Sequence, residues 1–154
     1  MKDGISVKEI LLVEDDPASA RLTELVIERS KIDGHVTTVA TGEEATKVLT
    51  RQGPYAKTAK PDLVLLDITL PTMSGWDVLA TIRDDPKLTE IPVVVLTASC
   101  DDRYVQSCYD LRADGFINKP MTVEKLDHLL ESNEVFSLSL EPMRPEHIPP
   151  DIWY

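Results

Sequence analysis

Leu63-Val64-Leu65-Leu66, closed by Asp67, is a short apolar run that ends on an acid. It is too short for a helix of globular length, and no polar residue alternates through it. It therefore reads as a strand buried on both faces of a parallel sheet. Ile10-Leu11-Leu12-Val13, Val93-Val94-Val95-Leu96 and the shorter Gly115-Phe116-Ile117 have the same character. His35-Val36-Thr37-Thr38-Val39 alternates instead, which suits the edge of a sheet.

Amphipathic stretches with helix-start signals lie between these runs. Asp16-Pro17 supplies an N-cap and a proline at the first helical position. The helix that follows runs to about Ser30 with Leu22, Leu25, Val26 and Ile27 facing inward. Thr41-Gly42-Glu43-Glu44 is a capping box ahead of Ala45, Val48 and Leu49. Ser74-Gly75-Trp76-Asp77 opens a helix carrying Val78, Leu79 and Ile82, and Asp101-Asp102 opens one carrying Val105, Cys108 and Leu111. Thr122-Val123-Glu124 opens the last, with Leu126, Leu129 and Leu130. Strand and helix thus alternate five times, and right-handed crossovers turn that order into a doubly wound α/β sheet, parallel and covered on both faces.

Two segments stand outside the repeat. Residues 51–61 (RQGPYAKTAKP) are polar, with Gly53, Pro54 and Pro61, and read as an extended loop. Residues 132–154 carry Pro142, Pro145, Pro149 and Pro150 and cannot form a continuous helix. The expected division is one domain over 1–131 and a C-terminal extension over 132–154 that is too short for a second domain.

The chain has 154 residues, 42% hydrophobic and 28% charged, enough for a core of one domain. No apolar run approaches the ~20 residues that cross a membrane, and the polar start Met1-Lys2-Asp3-Gly4 lacks a secretion signal's apolar stretch. The expectation is a cytoplasmic protein without membrane contact. The formal net charge of -11 would repel a phosphate backbone, so nucleic acid is not an expected partner. Cys100 and Cys108 form no CxxC pair; on one helix they would lie roughly 12 Å apart, too far for a disulfide, and read as reduced thiols.

The chemistry gathers at the C-terminal ends of the strands. The first run ends in Glu14-Asp15-Asp16, the third in Asp67 and the fourth in Thr97, and the fifth is followed by Lys119-Pro120. In a parallel sheet these ends share one edge. Taken singly each residue has an ordinary use: Asp16 as a helix cap, Thr97 as a capping hydroxyl, Lys119 as a solvated charge. Together they describe something else. Crowded carboxylates repel unless a cation joins them, and hard oxygen ligands with room for water and phosphate suit magnesium. A carboxylate beside such an ion can act as a nucleophile toward phosphorus, with an ammonium and a hydroxyl answering the phosphoryl oxygens.

The segments ILLVEDDP, DLVLLDITLPTMSGWDVL, IPVVVLTAS and ADGFINKP resemble the response-regulator receiver domains of two-component systems, over about residues 7 to 131. The spacings agree, with Thr97 30 positions after Asp67 and Lys119 22 after Thr97. The resemblance implies a flavodoxin-like (βα)5 fold with strand order 2-1-3-4-5. That order is what the family implies, not a consequence of the spacing. It implies Asp67 as phosphoacceptor, and a Mg2+ ion held by Glu14, Asp15, Asp67 and the Thr69 backbone carbonyl. Thr97, the Ala98 backbone amide and Lys119 contact the phosphoryl group. Thr97 and Phe116 form a switch, and the Lys119–Pro120 peptide is cis. Such a protein is no general enzyme and catalyses only its own phosphorylation and dephosphorylation.

The sequence departs from the family pattern in having Glu-Asp rather than Asp-Asp as its acidic pair, a change that many receivers share. The loop at 51–61, with Gly53, Tyr55, Ala59 and Pro61, resembles a subgroup of single-domain receivers, some of which work with phytochrome-type kinases. The implied partners are a sensor histidine kinase or phosphotransfer protein upstream and a protein target downstream, since no DNA-binding module follows the receiver. A docking module that works without phosphorylation is the alternative, and the complete set of site residues argues against it. A phosphatase of the haloacid dehalogenase type would need an acid two residues after the nucleophile, where Thr69 stands. A flavin carrier would need a Gly-, Ser- and Thr-rich phosphate loop where Glu14-Asp15-Asp16 stand. The extension holds Val135, Phe136, Leu138, Leu140, Ile148, Ile152 and Trp153. It either drapes over its own domain or helps build a homodimer through the face made by the helical stretch after Asp101, the fifth strand and the last helix.

Overall fold

Five short strands set the frame in the computed structural model, which describes residues 7–98, 106–107 and 110–131. They are β1 (Glu9–Val13), β2 (His35–Val39), β3 (Leu63–Asp67), β4 (Val93–Thr97) and β5 (Gly115–Asn118), all parallel, in the order β2-β1-β3-β4-β5. β3 and β4 are buried along their whole length, as their unbroken apolar runs require, while β2 lies at an edge and shows a mixed face. The helices described from end to end are α1 (Pro17–Arg29), α2 (Gly42–Leu49), α3 (Gly75–Asp84) and α4 (Val123–Glu131). α1 packs against α4 and α2 against α3, so helices pair on each side of a sheet whose chain order reverses at β1. The expected helix opening at Asp101-Asp102, both cysteines and the extension from 132 lie wholly or mostly outside the described residues.

Local chemistry explains where the helices start. Asp16 caps α1, its carboxylate accepting from the amides of Ala18 and Ser19 with Pro17 behind it. Ser74 and Asp77 form a reciprocal capping box on α3. On α2 only half of the expected box forms. The Thr41 hydroxyl accepts from the Glu44 amide, but the Glu44 carboxylate accepts from the Tyr55 hydroxyl at 3.3 Å. That bond ties down the loop at 51–61, which holds a short 3-10 turn at Gly53–Tyr55 and is not extended throughout.

Two inward assignments on α1 need correction. Leu22 is 43% exposed and Leu25 only half-buried; the buried face of α1 is Ala20, Thr23, Val26 and Ile27. At about 100° per residue, Leu22 sits roughly 100° from the centre of that face. The small Ala20 and Thr23 occupy the buried face instead, and Thr23 satisfies its hydroxyl on the Ser19 carbonyl at 3.0 Å. The other assigned core positions on α2, α3 and α4 are buried.

Opposite the acidic edge, Arg83 fastens the strand entries. Its nearly buried guanidinium pairs with Asp114 at 2.6 Å and donates to the carbonyls of Thr89, Ile91 and Arg112. Asp114 also accepts from the Val93 amide, joining the starts of β4 and β5. Burial raises the Asp114 carboxyl above its usual range, against the pull of Arg83. Removing the cation strands that carboxylate, so Arg83→Met should lower stability by about 3 kcal/mol, read as a urea midpoint that falls at unchanged slope. A loss below about 1 kcal/mol, the size of an exposed pair, would mean that the cluster is effectively solvated.

Candidate functional site

Strand register assembles the acidic edge. Val13 pairs with Leu66, so the next step places Glu14 beside Asp67; Asp67 pairs with Leu96, so Thr97 is the next residue out. Thr97 pairs with Asn118, and the Lys119 amide donates to the Thr97 carbonyl at 2.7 Å. Residues more than a hundred positions apart thus meet at one end of the sheet.

The Lys119 ammonium bridges the two buried carboxylates. It donates to Glu14 Oε1 and, at 3.0 Å, to Asp67 Oδ2. Asp67 Oδ1 accepts from the Thr69 amide at 3.0 Å, so both oxygens of Asp67 are held. Glu14 and Asp67 are 2% and 4% exposed, whereas Asp15 faces solvent. Oxygens of Glu14, Asp15 and Asp67 all lie within 4.8 Å of one another. Three hard oxygen donors at that spacing, one of them open to water, fit a hard divalent cation.

The loop after β3 is shaped by Gly75. A Cβ there would lie 2.3 Å from the Asp67 carbonyl oxygen and 2.7 Å from Ile68 Cα, so only glycine lets α3 start this close to the strand end. The Gly75 amide closes the loop on the Ile68 carbonyl at 3.1 Å. That closure keeps Thr69 next to the Asp67 carboxylate.

Thr97 is 4% exposed at the end of β4, and Ala98 follows it at an exposed position. Phe116 is 1% exposed in the core, on the strand that leads to Lys119. The Lys119–Pro120 peptide is cis. Asp16, the third acid of the run, serves α1 as its cap. Reading the sequence missed Ser19, in the first turn of α1, which helps hold the Glu14 carboxyl down. A serine in the first turn of a helix carries no distinguishing signal.

The charges are unequal: two buried acids face one ammonium. Burial pushes Glu14 up, but hydrogen bonds with Asp67, Lys119 and Ser19 outweigh it and hold the carboxyl down at about 2. Asp67 goes the other way, to about 6, because burial and the hydrogen bond with Glu14 outweigh Lys119 and the Thr69 amide. Burial lowers the Lys119 ammonium, yet the two carboxylates leave it above its ordinary value. Asp67 is therefore the member of the pair that takes the first proton.

Residues 10–131 match the family model described as the response regulator receiver domain. This chain belongs to the response-regulator receiver family. It is 38% identical to response regulator Rcp1 of Synechocystis over 131 residues, covering 85% of this chain and 89% of that protein. Among solved structures, this receiver resembles the Mn2+-bound form of Rcp1, with 37% identity and a TM-score of 0.70 over 92% of this chain and 99% of that one. It also resembles the phosphorylated cyanobacterial phytochrome response regulator RcpA, with 40% identity and a TM-score of 0.72 over 87% of this chain and 96% of that one. The family and the strand order anticipated from the motifs are those found. Among the described residues of this receiver, no helix is long and apolar enough to cross a membrane.

The unequal charges have a consequence in chelator. A carboxyl whose folded value lies above its usual 3.8 stabilises the fold as pH falls and costs stability as pH rises through the interval from about 4 to about 6. In EDTA, the natural sequence should therefore gain more stability than Asp67→Asn on going from pH 7 to pH 5, as read by urea unfolding. Equal gains in the two proteins would show that Asp67 does not take up this proton.

Proposed function

We propose that this receiver accepts a phosphoryl group from a sensor histidine kinase, or from a phosphotransfer protein, onto Asp67 and passes the signal on by protein contact. The observation that carries this reading is the strand-end cluster in which the Asp67 carboxylate meets Glu14, Asp15 and the Lys119 ammonium. An oxygen of ionised Asp67 attacks phosphorus in line with the phosphohistidine nitrogen. The P–N bond breaks, its electron pair stays on the imidazole, and an acyl phosphate forms. At neutral pH Asp67, with its value at about 6, is mostly in the nucleophilic form.

Glu14, Asp15, Asp67 and the Thr69 carbonyl would hold magnesium, which would supply positive charge for the phosphoryl oxygens. Lys119, the Thr97 hydroxyl and the Ala98 amide then answer the remaining oxygen charge. Catalysis extends only to the protein's own phosphorylation and hydrolysis. The Thr97 hydroxyl, drawn toward the phosphoryl group, leaves space that the buried Phe116 stabilises by filling, since a phenyl ring has no polar end to hold it outside. The phytochrome description of RcpA supports a phytochrome-type kinase as the upstream partner. In the cytoplasm such a receiver works either alone or as a homodimer through the face beside Phe116 and Lys119.

The test is phosphoryl uptake from acetyl phosphate, followed by intact-mass spectrometry. The natural sequence should gain one phosphoryl group in magnesium and none in excess EDTA, and folded Asp67→Asn should gain none in either. Equal uptake by Asp67→Asn, or undiminished uptake in EDTA, would overturn the reading.

A further inference from the structure

Lys125 stands where a helix disfavours a cation. It is the third residue of α4, in the first turn, where the backbone amides and the macrodipole favour negative charge. Its ammonium reaches back past that end, to the segment that precedes the helix. It donates to the Asn118 carbonyl at 2.9 Å and to the Pro120 carbonyl at 3.1 Å, the two residues on either side of Lys119. β5 is the last strand of the sheet, so among the described residues no neighbouring strand meets its outer carbonyls. On the inner side the Lys119 amide is held by the Thr97 carbonyl at 2.7 Å. The backbone around Lys119 is therefore gripped from both sides, by β4 and by one side chain of α4. The helix turn that carries this side chain is itself fixed, since the Lys125 amide donates to the Thr122 hydroxyl at 3.1 Å.

We infer that Lys125 is a positioning residue: by holding the carbonyls before and after Lys119, it keeps the Lys119 ammonium aimed at Asp67. The inference rests on the reading of Lys119 and Asp67 as parts of a phosphorylation site. Among the described residues, the Lys125 ammonium donates to backbone carbonyls and to no carboxylate of that site; it acts through Lys119. Charge-assisted bonds to two carbonyls hold more firmly than neutral ones, and small displacements of a charged group at a reaction centre slow reactions steeply.

The experiment is a double-mutant cycle on the full chain. Initial rates of Asp67 phosphorylation by acetyl phosphate in saturating magnesium are compared for the natural sequence, Lys125→Met, Lys119→Met and the double variant, at a temperature where melting curves show all four folded. Lys125→Met should slow phosphorylation roughly tenfold in the natural background and by less than about twofold in the Lys119→Met background. Lys125→Arg keeps donors for both carbonyls and should recover most of the rate. If Lys125→Met proves unfolded, Lys125→Gln takes its place in the cycle. An unchanged rate in Lys125→Met, an equal slowing in both backgrounds, or no recovery by Lys125→Arg overturns the inference while leaving the site reading intact. A Lys119→Met protein that phosphorylates at the natural rate overturns the site reading, and the inference with it.

Discussion

The Lys119 ammonium between the buried carboxylates of Glu14 and Asp67 is the interaction on which the acidic edge depends. Two ionised acids in a desolvated pocket cost several kcal/mol without a counter-charge, and one lysine cannot neutralise both. The residual negative charge, with Asp15 alongside, is what fits this edge for a divalent cation. On the proposed function, the same ammonium leaves a carboxylate to meet an incoming phosphoryl oxygen, so a contact of the resting protein becomes a contact of the reaction.

Three successive acids show how position on the backbone decides chemistry. Glu14 is one step beyond the last pair of β1 with β3 and is carried inward beside Asp67. Asp15 faces solvent and keeps an open approach for water. Asp16 has extended backbone and caps α1. Gly75 does comparable work on the other side of the site: by having no side chain it brings α3 close enough to close the loop that orients Thr69.

Much of this was legible in the sequence because the strands are unbroken apolar runs and a parallel sheet puts their C-terminal ends on one edge. The convergence of Glu14, Asp67, Thr97 and Lys119 follows from that alone. Rotation of a helix about its axis was less legible. Leu22 has the side chain of a core residue, but the small Ala20 and Thr23 face the sheet and Leu22 remains outside. The Glu44 carboxylate, placed for a capping box, is engaged by Tyr55 from a loop whose path no periodicity reports. Ser19 and Lys125 escaped for the same reason: both act on the site from the first turn of a helix, through contacts that depend on where the helix sits rather than on a motif.

The central claim is that the phosphoryl group resides on the Asp67 carboxylate. Acyl phosphates are reduced by borohydride to the alcohol, so an aspartyl phosphate becomes homoserine while free carboxylates do not react. The full chain, treated with acetyl phosphate and magnesium, reduced and then mapped by peptide mass spectrometry, should carry homoserine at position 67 and nowhere else. Reduction at Glu14 or Asp15, or phosphate that survives borohydride on another side chain, would contradict the account.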